Sequence, residues 1–297
     1  MKHYFLLLAC LISTLAFATT YEAPFIDTGA RDKCVEVYVD GIKRLFTFDT
    51  GCTSLSINIE LLNELVKQQK VNLADVNDER EAQLANGYTH VVRRLMLREL
   101  TLGGYTFHNV VAHVGLDAAP DAPLLLGQSL LERMQWYKIA GNTILFEPYD
   151  EAFQYALSFA DYYSSDTTHQ QEIARRLLPY EQQGMLSCYF RLRLFYALYF
   201  IDDYNTAIRL GQTLKQVNCQ AGIDITDYMI QLYYNQAIDL YNANRYDEAL
   251  ARTRQAWTLA NSDTRYIEYI ASIGKLTWHI YRQLGNDEKM KEFEKFK

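Results

Sequence analysis

Glycine and proline are shared out unevenly along the 297 residues. Four of the five prolines and nine of the fourteen glycines precede residue 150, and the last proline is Pro179. These residues punctuate turns and short strands and interrupt helices. The first half therefore predicts strands broken by tight turns. The second half is rich in Ala, Leu, Tyr, Gln and Arg with apolar residues at helical spacing, and predicts helices. A boundary follows near Pro148, and two domains suit a chain of this length. The chain is 49% apolar, enough for ordinary cores. A net charge of −7 argues against a nucleic-acid partner, whose binders carry a basic face.

Within the first half, Val35-Glu-Val-Tyr-Val39 alternates with period two, and Asp40-Gly41 is a hairpin signal. The strand Arg44–Phe48 then runs into Asp49-Thr50-Gly51, and Ser54–Ile57 leads out. Gly51 lacks the Cβ that would obstruct a sharp turn. A carboxylate on such a turn is held in place, which activation of a water molecule requires. Asp27-Thr28-Gly29 repeats the triplet. With Pro24 before it and Arg31-Asp32-Lys33 after it, this copy is expected to lack a supporting strand. The copies stand about twenty residues apart, too close for each to carry a lobe with its own core. Asp49 is the candidate catalytic residue.

Further along, Ala85-Asn86-Gly87 places an Asn-Gly turn between strand-like runs. Leu125-Leu126-Gly127 ends a short apolar run, and Gln128–Met134 reads as a short helix. Trp136–Ile139, a turn at Gly141-Asn142 and Thr143–Phe146 close the segment as a hairpin.

Over about residues 33–148 this order resembles the retropepsin-like, single-domain aspartic peptidases. The resemblance implies an all-β acid-protease barrel over residues 25–148, with Asp49 catalytic and Thr50 and Gly51 completing its loop. It implies a substrate-binding flap at Ala85, Asn86 and Gly87, and support under the loop from Leu125, Leu126 and Gly127. The family usually has Ala or Ser after the triplet. Cys52 stands there instead, close to Ser in size and a weaker hydrogen-bonding group.

Residues 150–297 echo themselves. Tyr204-Asn-Thr-Ala207-Ile208 returns as Tyr246-Asp-Glu-Ala249-Leu250 and more weakly at Asp287–Met290, and Ala256-Trp257 extends the middle copy. This resembles tetratricopeptide repeats and implies an all-α helical-hairpin array, with a period longer than the usual 34. Such arrays hold peptides or partner proteins. The many tyrosines here read first as packing residues, because stripes at helical spacing usually face a core.

Residues 1–18 read as an export signal: Lys2 and His3, an apolar run, then Ala16-Phe17-Ala18. A periplasmic or secreted protein follows, with a lipoprotein anchored through Cys10 as the alternative. No later stretch suits a membrane span. Beyond the leader, Cys34–Cys52 and Cys188–Cys219 is the simplest disulfide pairing, and unpaired thiols are the other reading. Gly127-Gln-Ser129 lacks the second glycine of a nucleophile elbow. His108 and His113 lack the spacing of a helical metal pair, and neither a metal nor another cofactor is indicated.

The sequence thus predicts a multidomain α and β protein, an exported aspartic endopeptidase acting on peptides or proteins. One usable Asp-Thr-Gly per chain implies a homodimer, because the chemistry needs two carboxylates. A catalytically silent peptide-binding scaffold built on the repeats is the alternative.

Overall fold

The computed structural model describes residues 19–29, 32–83, 89–116, 118–217, 219 and 224–297. The export signal, Cys10 and the Ala85-Asn86-Gly87 turn lie outside the described residues. The chain divides into two compact units, Met1–Ser158 and Phe159–Lys297.

The first unit is β-rich. Its strands are β1 (Tyr21–Ile26), β2 (Cys34–Val39), β3 (Ile42–Phe48), β4 (Leu55–Ile57), β5 (Asn77–Gln83), β6 (Thr89–Leu102), β7 (Tyr105–Gly115), β8 (Leu125–Leu126), β9 (Met134–Ala140) and β10 (Thr143–Pro148). They form a sheet in the order β5-β6-β7-β4-β8-β3-β2-β1-β10-β9, and an added β6–β2 pairing folds it back on itself. Alternation decides which face is inside: Val35, Val37 and Val39 on β2 are wholly buried while Tyr38 is exposed. Phe46, Leu95, Leu97, Phe107 and Phe146 fill the same core.

Turn chemistry fixes the registers. Val39 pairs with Ile42 across Asp40 and Gly41, both at positive φ, as a two-residue hairpin of this twist requires. Gly103 and Gly104 do the same between Leu102 and Tyr105. Asp40 is also tied to the adjoining strand, accepting from the Glu99 N–H at 3.0 Å. Burial pushes its carboxyl above the usual range.

Two features depart from expectation. A strand does precede Asp27: β1 runs straight into it, with Ala23 and Phe25 buried and Pro24 tolerated. The unit also holds a helix, α1 (Ile59–Lys67), capped by Asn58, whose side chain accepts from the Leu61 N–H at 2.9 Å. Leu61, Leu62 and Leu65 bury its inner face, and Arg44 pairs with Glu64 on it. A short α2 (Gln128–Leu131) follows β8 and stops before Met134, where β9 begins. Helix α3 (Glu151–Tyr162) starts just past Pro148, and the division between units falls within it.

The second unit is all-helical among the described residues: α4 (Gln170–Gln182), α5 (Cys188–Phe200), α6 (Tyr204–Gln216), α7 (Thr226–Asn242), α8 (Tyr246–Ala260), α9 (Ile267–Gln283) and α10 (Asp287–Glu292). Each packs chiefly on its chain neighbours. The internal echo sets the starts of α6, α8 and α10. It also appears in the hydrogen bonds. Tyr266 donates to Asp224 and Tyr269 to Asp227, each at 2.5 Å and each 42 positions apart. Tyr228 packs edge-on against Tyr196 and Tyr199, so these rings are packing residues. Cys188 and Cys219 form a disulfide with Cα atoms 5.3 Å apart. Cys34 and Cys52 are free thiols. They do not pair, because each thiol faces its own local partner: Cys34 the Thr47 hydroxyl at 3.8 Å, and Cys52 the Ser54 carbonyl at 3.2 Å.

Candidate active site

Asp49 sits where β3 ends, and the loop after it climbs to β4. These two strands are not neighbours, because β8 lies between them. Thr47 and Phe48 pair in parallel with Leu125 and Leu126, and Ser56 pairs with Leu125 from the other side. The 49–54 loop therefore arches over β8.

Backbone bonds clamp this arch. The Asp49 N–H donates to the Leu126 carbonyl at 3.2 Å. The N–H groups of Gln128 and Ser129 donate to the carbonyls of Cys52 (2.8 Å) and Thr53 (3.1 Å). The Gln128 side chain reaches the Thr50 carbonyl at 2.8 Å, and the Leu55 N–H donates to the Ser129 hydroxyl at 2.8 Å. Gly127 makes the approach possible. Its backbone is extended, so conformational freedom is not the reason. A Cβ there would stand 2.7 Å from the Cys52 carbonyl oxygen and press on Ser54 as well.

The carboxylate is aimed by its own turn. The Gly51 N–H donates to Asp49 Oδ1 at 2.8 Å, and a Cβ on Gly51 would stand 3.2 Å from that same oxygen. One carboxylate oxygen is thus held by the backbone. Asp49 is half-buried, while Thr50 and Gly51 at the crest are exposed. Phe48 anchors the approach, edge-on to Phe25 and Tyr137. The Cys52 thiol points back into the loop, donating to Ser54 rather than lying idle.

The structure thus brings together Asp49, Thr50 and Gly51 with Leu125, Leu126 and Gly127. Sequence reasoning missed Gln128 and Ser129, whose side chains complete the clamp. Their signal was the short helix directly after Gly127, read only as a helix. Among the described residues, no cluster of His, Cys, Asp and Glu is arranged to hold a metal ion. Among them too, no helix is long and apolar enough to cross a membrane.

Residues 35–130 match the family model described as aspartyl protease, about a third of the chain. Among matching solved structures is a retropepsin-like aspartic protease from Rickettsia conorii. It is 21% identical, covering 44% of this chain and 92% of that one, with a TM-score of 0.32. No curated protein matches the chain.

Proposed function

We propose that the protein is an aspartic endopeptidase whose centre forms from two chains, each contributing Asp49. The arch over β8 carries this reading, because it presents a carboxylate rigidly and at the surface. Hydrolysis of a peptide without a metal needs one carboxylate to take a proton from water and a second to protonate the carbonyl oxygen. Two Asp49 side chains across a two-fold axis supply both and hold one proton between them, since adjacent like charges do not ionise together cheaply. The Gly51 N–H occupies Oδ1 in each chain, which leaves the other oxygen for water. Thr50, exposed at the crest, meets its counterpart across the same axis.

The finer roles follow from the same reading. Ala85-Asn86-Gly87 closes over the peptide, Leu125, Leu126 and Gly127 hold the loop, and the helical unit recruits substrate or partner. Residues 1–18 direct export to the periplasm. The test is cleavage of an unfolded protein at falling enzyme concentration, then with excess Asp49→Asn chains added. Activity per chain should drop on dilution, and mixed chains should be poisoned. Specific activity that stays constant at high dilution would overturn the two-chain centre.

A further inference from the structure

The helical unit holds a cavity of about 360 Å³ walled by α6 and α8 with α7 beneath, a volume at the small end of ligand pockets. Its floor is Met229 and Tyr233, both buried on α7, with Leu259 of α8 half-buried beside them. Gly211 allows that floor to form, because a Cβ there would run into Met229 and stand 2.9 Å from the Phe195 ring. Met229 and Tyr233 lie on the face of α7 opposite Gln231, whose amide joins Tyr199 of α5 to Tyr269 of α9. The cavity is therefore on the other side of α7 from the face that α5, α7 and α9 share. The neutral polar groups of its rim are already engaged. Gln212 donates to the Tyr233 hydroxyl at 3.0 Å, Thr258 donates to the Arg254 carbonyl at 2.9 Å, and the Gln255 side-chain oxygen accepts from Arg252 at 2.8 Å. The cations of the rim are less well matched. Among the described residues, Lys215 on α6 and Arg254 on α8 pair with no carboxylate, and Arg254 makes only a long 3.4 Å bond to the Tyr281 hydroxyl. No acidic side chain lines the cavity, although acids outnumber bases in the whole chain, 36 to 29.

We infer that this cavity binds a single-chain lipid phosphate, one alkyl chain ending in a phosphate monoester. Two cations without a counter-charge call for a dianion, and a phosphate monoester carries about two negative charges near neutral pH. A carboxylate would leave one cation unmatched. Arg254 holds phosphate oxygens through paired N–H groups, and Lys215 acts as a point charge. The alkyl chain covers Met229, Tyr233 and Leu259, taking apolar surface out of water. It asks nothing of the neutral groups at the rim. A peptide, by contrast, would bring an N–H and a carbonyl at each residue, and those groups need partners. The inference stands apart from the proposed chemistry, because no residue of the 49–54 loop lines the cavity.

The experiment is calorimetric titration of the full chain carrying Asp49→Asn, so that no peptide is cleaved. The probes are octyl phosphate, octanoate, octanol, inorganic phosphate and a hexapeptide ending in Leu with a free carboxylate. Octyl phosphate should bind at a single site per chain, at least about tenfold more tightly than any of the others. Lys215→Glu and Arg254→Glu should each weaken it about tenfold, and Lys215→Arg should preserve it. Both reversals lie at the rim, and an unchanged circular dichroism melt checks their folding. Lys215→Gln, a milder change, should weaken binding in the same direction. Any other probe binding as tightly as octyl phosphate, or charge reversals without effect, would overturn the inference. Because Asp49 is already disabled, the outcome does not depend on whether the chain is a peptidase.

Discussion

The chain contains two Asp-Thr-Gly turns that are alike locally and unlike in setting. In each, a strand runs into the aspartate and the glycine N–H donates to its Oδ1, at 2.9 Å for Asp27 and 2.8 Å for Asp49. The Asp27 turn merely joins β1 to β2, strands that pair directly through Ile26 and Cys34. The Asp49 turn joins strands held apart by β8, and is clamped to it from below. The triplet makes an Asx-type turn wherever it falls. A strand threaded beneath it is what turns one copy into a candidate catalytic loop.

The contrast breaks most sharply in activity. Asp49→Asn should lower the rate of proteolysis about a thousandfold, and Asp27→Asn should leave it within about twofold. Steady-state cleavage of a labelled unfolded protein decides this, and the reverse pattern would move the site to Asp27. Stability comes next. Gly127→Ala drives a methyl group into the loop carbonyls and should cost about 3 kcal/mol in urea unfolding. Gly29→Ala meets open space and strains only a φ of +74°, at about 1 kcal/mol. Similar losses at both would show that the arch is not tightly packed.

Smaller still is Cys52→Ser. A hydroxyl can make the same bond to Ser54, so stability should change by less than about 1 kcal/mol, with activity retained. Loss of activity on that exchange would give the thiol a role of its own. The smallest effect separates acid sensitivity elsewhere from chemistry at Asp49. The Tyr266 hydroxyl, followed by Thr226, holds the Asp224 carboxyl well below the usual range. A depressed folded-state value contributes stability above the ordinary carboxylate range, and this is lost as the pH falls below it. Asp224 is 40% exposed, so the contribution is less than about 1 kcal/mol. Asp224→Asn should flatten the melting temperature between pH 7 and pH 3 by a matching amount. An unchanged slope would place the acid sensitivity elsewhere.

Much of this was legible in the sequence. The Asp40-Gly41 and Gly141-Asn142 turns and the period-two burial of β2 follow from local chemistry. So does the change from strand to helix past Pro148. β1 was missed because Pro24 argued against it, although the N–H that proline lacks is not needed at Thr143, the last β1–β10 pair. Helix α1 was missed despite the Asn58 cap and the Leu61-Leu62-Leu65 stripe. The clamp from Gln128 and Ser129 depends on parallel pairing between distant segments, which no local pattern encodes. The same holds for the thiols: Cys34 and Cys52 were candidates by count, and only the fold shows each facing another partner.

The arch also has a consequence for how the chain folds. Gln128 and Thr50 are 78 positions apart, and the two-residue strand β8 pairs with β3 across a comparable span. Closing so long a span costs chain entropy before its contacts repay it, so such pairings tend to form late. We expect Leu126→Ala to speed unfolding while leaving the refolding rate nearly unchanged, and slowed refolding would refute this. A newly made chain would then carry Asp49 on an unclamped loop until nearly all of its β-rich unit is assembled. If Asp49 is catalytic, as proposed, the chain would gain that chemistry only as its last strands pair.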